Sequence, residues 1–280
     1  MPHSCGRPSA RAGLFLALMA VWLWGGPASG EICLKGRLEQ GGLALGQVAP
    51  GARVTLDGRP VPVDSQGRYV VGFGRDAESM VQVKVVLSDG REETRALAIA
   101  RRDWPVQSID GVPRDKVEPD KASLARLRAE TEMLRALRAD ISFDARFLDG
   151  LVRPAEGVVS GVFGSQRVYN GIAGAPHSGL DIAAPQGTPV HAAAAGKVVL
   201  AAPDLFLTGR TIMIDHGLGV ISSYGHLSRL DVAAGAKVGR GQIIGAVGAT
   251  GLATGAHLHW GMSWLDVRLD PETAAEVLGF

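Results

Sequence analysis

Residue types that bind metals gather in three short, glycine-flanked motifs in the last third of the chain. The motifs are His177-Ser-Gly-Leu-Asp181, Tyr224-Gly-His226-Leu and His257-Leu-His259. Four of the seven histidines in the sequence fall within them. Histidines that served packing alone would be expected to scatter along the chain. The clustering therefore predicts one converging metal site.

The His257-Leu-His259 motif has the spacing of two side chains that share one face of a strand. Residues i and i+2 of a β-strand point to the same side of the sheet. We therefore expect both imidazoles to reach one cleft. Leu258 and Trp260 are expected to point the other way, into the core.

His177 and Asp181 can complete a metal-binding set, because Gly179 between them lets the chain turn or extend. Two imidazole nitrogens and one carboxylate oxygen form the ligand shell of a catalytic zinc ion, with a fourth position left for water. Zinc lowers the pKa of that water and polarises a carbonyl group. A further histidine can accept the water proton as general base. Spacing alone does not decide whether His257 or His259 is the ligand.

The elements that must position these residues look like short strands. From about Pro154 to Pro271, apolar segments such as Gly196-Lys-Val-Val199 and Thr211-Ile-Met-Ile214 alternate with glycine-containing turns. Short strands with regular glycine breaks are typical of an all-β domain.

At these residues the chain resembles the lysostaphin-type zinc metallopeptidases of the M23 family, which cut peptidoglycan peptides. The resemblance covers about residues 154 to 271. It rests on motifs that occur in order and with their glycines in register: His177-Ser-Gly-Leu-Asp181, Gly187-Thr-Pro-Val190, Asp215-His216-Gly217, Tyr224-Gly-His226-Leu227 and Gly251-Leu-Ala-Thr-Gly255-Ala-His257-Leu-His259.

The resemblance implies a role for each candidate residue. His177, Asp181 and His259 would bind one Zn²⁺ per chain. His257 would be the general base, and His226 its partner in activating water or stabilising the oxyanion. The resemblance also implies antiparallel sheets around a narrow groove that holds an extended peptide.

Other polar residues near the motifs are open to two interpretations. His216 matches a family position, but we interpret it and His191 as structural. Arg167, Tyr169 and Tyr224 could line the groove or serve packing. A tyrosine upstream of the first ligand helps to stabilise the oxyanion in some relatives, and the sequence does not decide whether Tyr169 is placed to do so.

Residues 1–30 have the features of a secretory signal peptide. Arg7 and Arg11 give a basic start, an apolar run extends from Ala12 to Trp24, and small residues follow it. The run is short for a membrane-spanning helix, and a retained N-terminal anchor is the alternative. We expect secretion across the inner membrane to the periplasm or cell envelope, with no integral membrane segment after signal removal.

Cysteine content and charge exclude several classes of protein. Cys33 is the one cysteine outside the predicted signal peptide, so a disulfide scaffold is not expected. We predict that Cys33 is a small buried hydrophobic residue. The formal net charge of the full chain is +1, which gives no indication of a nucleic-acid partner.

The rest of the chain is predicted to be mainly β and to have three parts. Residues 31–100 form a small β-sandwich module, because Val81, Val83 and Val85 alternate with polar residues. Residues 101–150 form a linker with an amphipathic helix. Residues 151–280 form the C-terminal antiparallel β-sheet metallopeptidase domain that resembles M23.

The linker helix is predicted to run from about Asp120 or Ser123 to Ser142. Its apolar residues recur at three- and four-residue steps, namely Leu124, Leu127, Leu134, Leu137 and Ile141. Packing on a neighbouring domain is one interpretation of this stripe. A coiled coil with another chain is the alternative, although it needs more heptads than the segment offers.

These features favour a zinc endopeptidase that cuts stem or cross-link peptides of peptidoglycan during cell-wall remodelling. The alternative is a non-catalytic relative that activates a cell-wall amidase. A secreted bacteriocin fits less well. The segment upstream of the site also suggests regulation, in which residues 31–150 cover the groove until the wall or a regulatory envelope partner displaces them.

Overall fold

The computed structural model describes residues 32–111 and 120–279. The predicted signal peptide at residues 1–30 lies outside this part of the chain. Within the described residues, no helix combines the length and apolar character needed to cross a membrane. The described chain is mainly β, as the sequence predicted.

Two antiparallel sheets form the N-terminal part. One has the order β1-β2-β5 and the other the order β4-β3-β6-β7. The strands are β1 (Cys33–Gly36), β2 (Leu43–Gln47), β3 (Arg53–Leu56), β4 (Arg59–Val61), β5 (Arg68–Gly72), β6 (Met80–Val86) and β7 (Glu92–Ala98). The predicted alternation in β6 is confirmed, since Val81, Val83 and Val85 are buried. The prediction for Cys33 is wrong: its side chain is exposed on β1, which is an edge strand of its sheet.

An eight-stranded antiparallel sheet dominates the C-terminal part. Its order is β18-β14-β15-β16-β20-β12-β9, and β21 pairs with β20 off this path. Its strands are β9 (Val158–Gly161), β12 (Leu180–Ala183), β14 (Gly196–Leu205), β15 (Gly209–Gly217), β16 (Val220–Leu227), β18 (Lys237–Val238), β20 (His257–Trp264) and β21 (Val267–Leu269).

Two three-stranded sheets flank it. One has the order β13-β19-β17 and the other the order β11-β10-β8. Their strands are β8 (Val106–Ile109), β10 (Gln166–Tyr169), β11 (Ile172–Ala173), β13 (Pro189–His191), β17 (Arg229–Leu230) and β19 (Ile243–Ala246). β8 lies within the segment that the sequence predicted as a linker, and it pairs with β10 in parallel.

Helix α1 (Lys121–Ala139) begins at Asp120, whose side chain accepts a 2.7 Å hydrogen bond from the backbone N–H of Ser123. It ends three residues before the predicted Ser142. Its apolar stripe is only half-buried, and Leu124 is 39% exposed. Polar contacts join the helix to the C-terminal part: Arg126 pairs with Asp204, and the Glu130 carboxylate accepts a 2.8 Å hydrogen bond from the backbone N–H of Phe206.

The N-terminal and C-terminal parts meet at a buried boundary beside helix α2 (Pro271–Leu278). The backbone N–H of Asp270 donates a 2.8 Å hydrogen bond to the Gly41 carbonyl. The Arg102 guanidinium donates a 2.8 Å bond to the Asp270 carboxylate, which is 7% exposed. Gly72 packs so closely on Trp264 that a Cβ there would lie 2.9 Å from the Trp264 Cβ. Buried residues of both parts therefore form one hydrophobic core.

Replacing Arg102 with alanine is expected to weaken this boundary. The buried Asp270 carboxylate would lose its cation, and an unsatisfied buried group costs about 1–3 kcal/mol. Urea unfolding should show this loss. Arg37→Ala is the matched control, because it removes a fully surface-exposed pair with Glu276 of α2, and such pairs contribute little. Equal unfolding midpoints for the two variants would contradict this account.

Candidate metal centre and active site

Strand pairing brings all three motifs together. β16 pairs with β20 so that Gly225 lies opposite His259. β12 pairs with β20 so that Asp181 lies opposite His259 and Ala183 lies opposite His257. Leu258 and Trp260 are buried, as predicted from the period of two. The sheet therefore presents His257, His259 and Asp181 on one side, while the residues between them hold the strand in the core.

His177, Asp181 and His259 converge on a single point. His177 Nε2 lies 3.0 Å from Asp181 Oδ1 and 3.1 Å from His259 Nδ1. The distance from His259 Nδ1 to Asp181 Oδ1 is 2.8 Å. His177 Nδ1 lies 3.0 Å from the carbonyl oxygen of Val162. Because a carbonyl only accepts, Nδ1 carries the proton, and Nε2 offers its lone pair to the centre of the cluster.

The donor set fits a zinc ion. Tetrahedral zinc with bonds of about 2.0–2.1 Å separates its ligand atoms by roughly 3.3 Å, close to the spacing in this cluster. Two imidazole nitrogens and one carboxylate oxygen are also a zinc-preferring combination. Three protein ligands leave a fourth position for water or substrate. Among the described residues, His177, Asp181 and His259 form the group whose ligand atoms lie close enough together to hold a metal ion.

The second oxygen of Asp181 is held from outside the cluster. Arg167 Nη2 donates a hydrogen bond to Asp181 Oδ2, so Oδ1 remains directed at His177 and His259. Burial raises the pKa of Asp181, but its contacts with His177 and His259 outweigh burial and hold the pKa well below its usual range. Asp181 is therefore an ionised carboxylate, as a metal ligand must be.

His257 and His226 stand beside this cluster with one ring nitrogen each held by the backbone. His257 Nδ1 lies 2.9 Å from the Gly255 carbonyl oxygen, and His226 Nδ1 lies 2.7 Å from that of Thr250. Both Nδ1 atoms therefore carry protons, so that in the neutral form of each ring the lone pair is on Nε2. His257 Nε2 is 3.8 Å from Asp181 Oδ1. The centroids of the His226 and His257 rings lie 4.6 Å apart. Burial lowers the pKa of His226 to about 3, so its ring is neutral.

A β-bulge aims His226 at the site. In the pairing of β15 with β16, Arg210 lies opposite Leu227 and Ile212 opposite Tyr224, so two residues of β16 face one of β15. His226 occupies this bulge with φ of +61°. Residues other than glycine rarely adopt a positive φ. Bulges are frequent beside active sites because they redirect a side chain.

Gly179 serves a close approach and not a left-handed turn. A Cβ at this position would lie 2.4 Å from the Trp260 carbonyl oxygen and 2.9 Å from His259 Cε1. Glycine therefore lets the chain between His177 and Asp181 pass directly over His259. The sequence indicated only that Gly179 lets the chain turn or extend here, and the structure shows that the reason for glycine is this close approach.

Three further residues that the sequence singled out lie away from the cluster. His216 is buried, with its ring nitrogens 2.8 Å from the Ala195 carbonyl oxygen and 2.7 Å from Ser222 Oγ. Tyr224 is also buried, and its hydroxyl accepts a 2.8 Å hydrogen bond from the Ala193 backbone N–H. His191 approaches the Pro154 carbonyl oxygen at 3.3 Å. These contacts are structural.

The cluster lies in a groove of about 580 Å³. We use the term active-site groove for this cavity, which Arg167 and Tyr169 line together with the candidate histidines and Asp181. Sequence reasoning did not foresee that Gln107 and Ile109 of β8 also line it. The segment carries no motif that would have indicated this, because its polar composition and prolines resemble those of a linker.

Known proteins resemble this chain in sequence and in fold. The family model described as peptidase family M23 matches residues 175–271. The crystal structure of a protein from Pseudomonas aeruginosa assigned to peptidase M23 aligns with a TM-score of 0.67 and 32% sequence identity. The alignment covers 85% of this chain and 94% of that one. The chain belongs to peptidase family M23.

Curated relatives support membership of M23 and are longer. Peptidoglycan DD-endopeptidase ShyA of Vibrio cholerae is 33% identical over 201 residues, which cover 68% of this chain and 41% of ShyA. DD-carboxypeptidase/endopeptidase Mpg of Neisseria meningitidis is 46% identical over 84 residues, which cover 30% of this chain and 19% of Mpg. This M23 chain therefore spans less than half the length of either relative.

Proposed function

We propose that this protein is a zinc-dependent endopeptidase that hydrolyses peptide bonds in stem or cross-link peptides of peptidoglycan. The observation that carries the proposal is the convergence of His177, Asp181 and His259 on one point, with His226 and His257 beside it. The names of ShyA and Mpg support peptidoglycan as the substrate class. We propose the periplasm or cell envelope as the location, because that is where this substrate lies.

His177, Asp181 and His259 would hold one zinc ion. When bound there, zinc supplies Lewis acidity toward a carbonyl oxygen and lowers the pKa of water. Arg167 donates a hydrogen bond to Asp181 Oδ2 and so keeps the other oxygen, Oδ1, directed toward the cluster. Such outer contacts fix the orientation of metal ligands and are needed for metal affinity.

His257 and His226 would take part in the transfer of the proton from the attacking water. The backbone carbonyls of Gly255 and Thr250 fix the tautomer in which Nε2 of each ring is unprotonated. His257 Nε2 can therefore accept a proton from the attacking water and return it to the leaving amine. His226, neutral and held by the bulge, would orient that water by accepting a hydrogen bond from it at Nε2. The oxyanion role that the resemblance also implies would require a proton on Nε2.

The first test is incubation of the protein with defined muropeptide dimers, with and without a chelator. We expect cleavage that the chelator stops and that added zinc restores. Product masses identify the bond that is cut. If the protein cleaves no dimer but raises the activity of a cell-wall amidase, it is the non-catalytic activator that the sequence left as the alternative.

A further inference from the structure

Strand β8 extends the sheet beside the active-site groove, although it lies about 65 residues before the matched family segment. It runs parallel to β10, with Gln107 opposite Arg167 and Ile109 opposite Tyr169. The Gln166 N–H donates a 2.8 Å hydrogen bond to the Pro105 carbonyl, and the Asn170 N–H donates a 3.0 Å bond to that of Ile109. Both ends of β8 are therefore fixed to the C-terminal part.

The side chains of β8 divide into two sets. Gln107 and Ile109 are half-buried and line the groove, while Val106 and Ser108 are exposed. Gln107 also lines a second cavity of about 310 Å³, between β8 and the edge strand β9. Gln107 thus lies between the active-site groove and the second cavity, beyond the cluster of His177, Asp181 and His259.

Gln107 has an unpaired oxygen in its side-chain carboxamide. This atom, Oε1, is buried and accepts no hydrogen bond from the described residues. Nε of the neighbouring Arg167 is also buried without a partner. Unpaired buried polar groups are uncommon in folded proteins, so each one calls for an explanation such as a functional role, a water molecule or an ion. The terminal torsion of glutamine is soft, so rotation can turn either end of the carboxamide toward the groove.

We propose that β8 is the substrate-positioning wall of the groove, on which Gln107 hydrogen-bonds a backbone amide of the bound peptide and Ile109 contacts a small apolar side chain. The inference rests on the proposed function for the identity of the peptide. Arg167 touches Asp181, and Gln107 lies one strand further, about 4.8 Å away. An extended peptide advances about 3.3 Å per residue. Gln107 therefore acts within a few residues of the bond that is cut.

Binding and turnover separate this inference from the proposed function. Titration calorimetry would measure the Kd of a muropeptide dimer for full-length protein that carries His257→Ala to stop turnover, with and without Gln107→Ala. We expect the additional change to raise Kd about tenfold, as loss of one hydrogen bond does. Ser108→Ala is the control on the opposite face of β8 and should leave Kd unchanged. In otherwise wild-type protein, Gln107→Ala should raise KM and leave kcat and zinc content unchanged.

Each outcome is decisive. An unchanged Kd in the Gln107→Ala protein would contradict the proposed substrate-positioning role of β8 without affecting the proposed endopeptidase activity. If Gln107→Ala raised Kd but otherwise wild-type protein cleaved no dimer, the result would support the positioning role of β8 and contradict the endopeptidase activity. Equal losses for Gln107→Ala and Ser108→Ala would mean that both substitutions disturb β8 as a whole, without a specific contact from Gln107, and this also overturns the proposal.

Discussion

Replacing His259 with alanine should remove zinc from the protein and reduce peptide cleavage to background. His259 Nδ1 lies 2.8 Å from Asp181 Oδ1 and 3.1 Å from His177 Nε2, so it is one of the three candidate ligand atoms that the described residues bring together. Loss of a residue that only hydrogen-bonds to a metal ligand lowers metal affinity about 10- to 100-fold. Loss of a direct ligand should cost more. Elemental analysis of the dialysed protein should give one zinc per chain for wild type and almost none for the variant.

A matched variant shows whether the loss is specific. His191 is half-buried on β13 and has one long contact, with the Pro154 carbonyl oxygen. His191→Ala removes the same side chain from the same domain and should keep both zinc and cleavage. If His259→Ala retained a full equivalent of zinc and cleaved dimers at the wild-type rate, the ligand assignment would be wrong.

Local patterns predicted the arrangement of β20 well. The period of two in His257-Leu-His259-Trp places both histidines on one face, and the burial of Leu258 and Trp260 fixes that register. A one-residue slip would turn the histidines into the core. Composition and glycine spacing likewise predicted a mainly β chain, because those signals depend on neighbouring residues.

Features that depend on distant partners were not predictable. β8 is four residues long and pairs with a strand about sixty residues later, and nothing in its sequence specifies a parallel neighbour. The bulge at His226 arises from the register of β15 against β16. Cys33 was assigned to the core on its residue type, but an edge strand leaves it exposed. In α1, leucine spacing predicted a buried face, but that face is only half-buried, and Arg126 and Glu130 add polar contacts with the C-terminal part.

Replacing His257 with alanine should have the opposite signature, with zinc retained and turnover lost. The spacing of His257-Leu-His259 allowed either histidine to be the ligand. In the structure His257 Nε2 stands 3.8 Å from Asp181 Oδ1, whereas His259 Nδ1 is at 2.8 Å. General acid–base catalysis by one side chain contributes about 100- to 10,000-fold, so kcat should fall within that range. The zinc content should remain one per chain.

The same measurements on His226 test whether the two histidines act as a unit. Their rings lie 4.6 Å apart, and groups that act on one proton lose catalysis in a non-additive way. We therefore expect His226→Ala to keep zinc and lower kcat, and the double variant to be little worse than His257→Ala alone. If His257→Ala lost zinc and His259→Ala kept it, the roles of these two residues would be exchanged. The distances argue against that exchange, because His259 Nδ1 lies 2.8 Å from Asp181 Oδ1 whereas His257 Nε2 lies 3.8 Å from it.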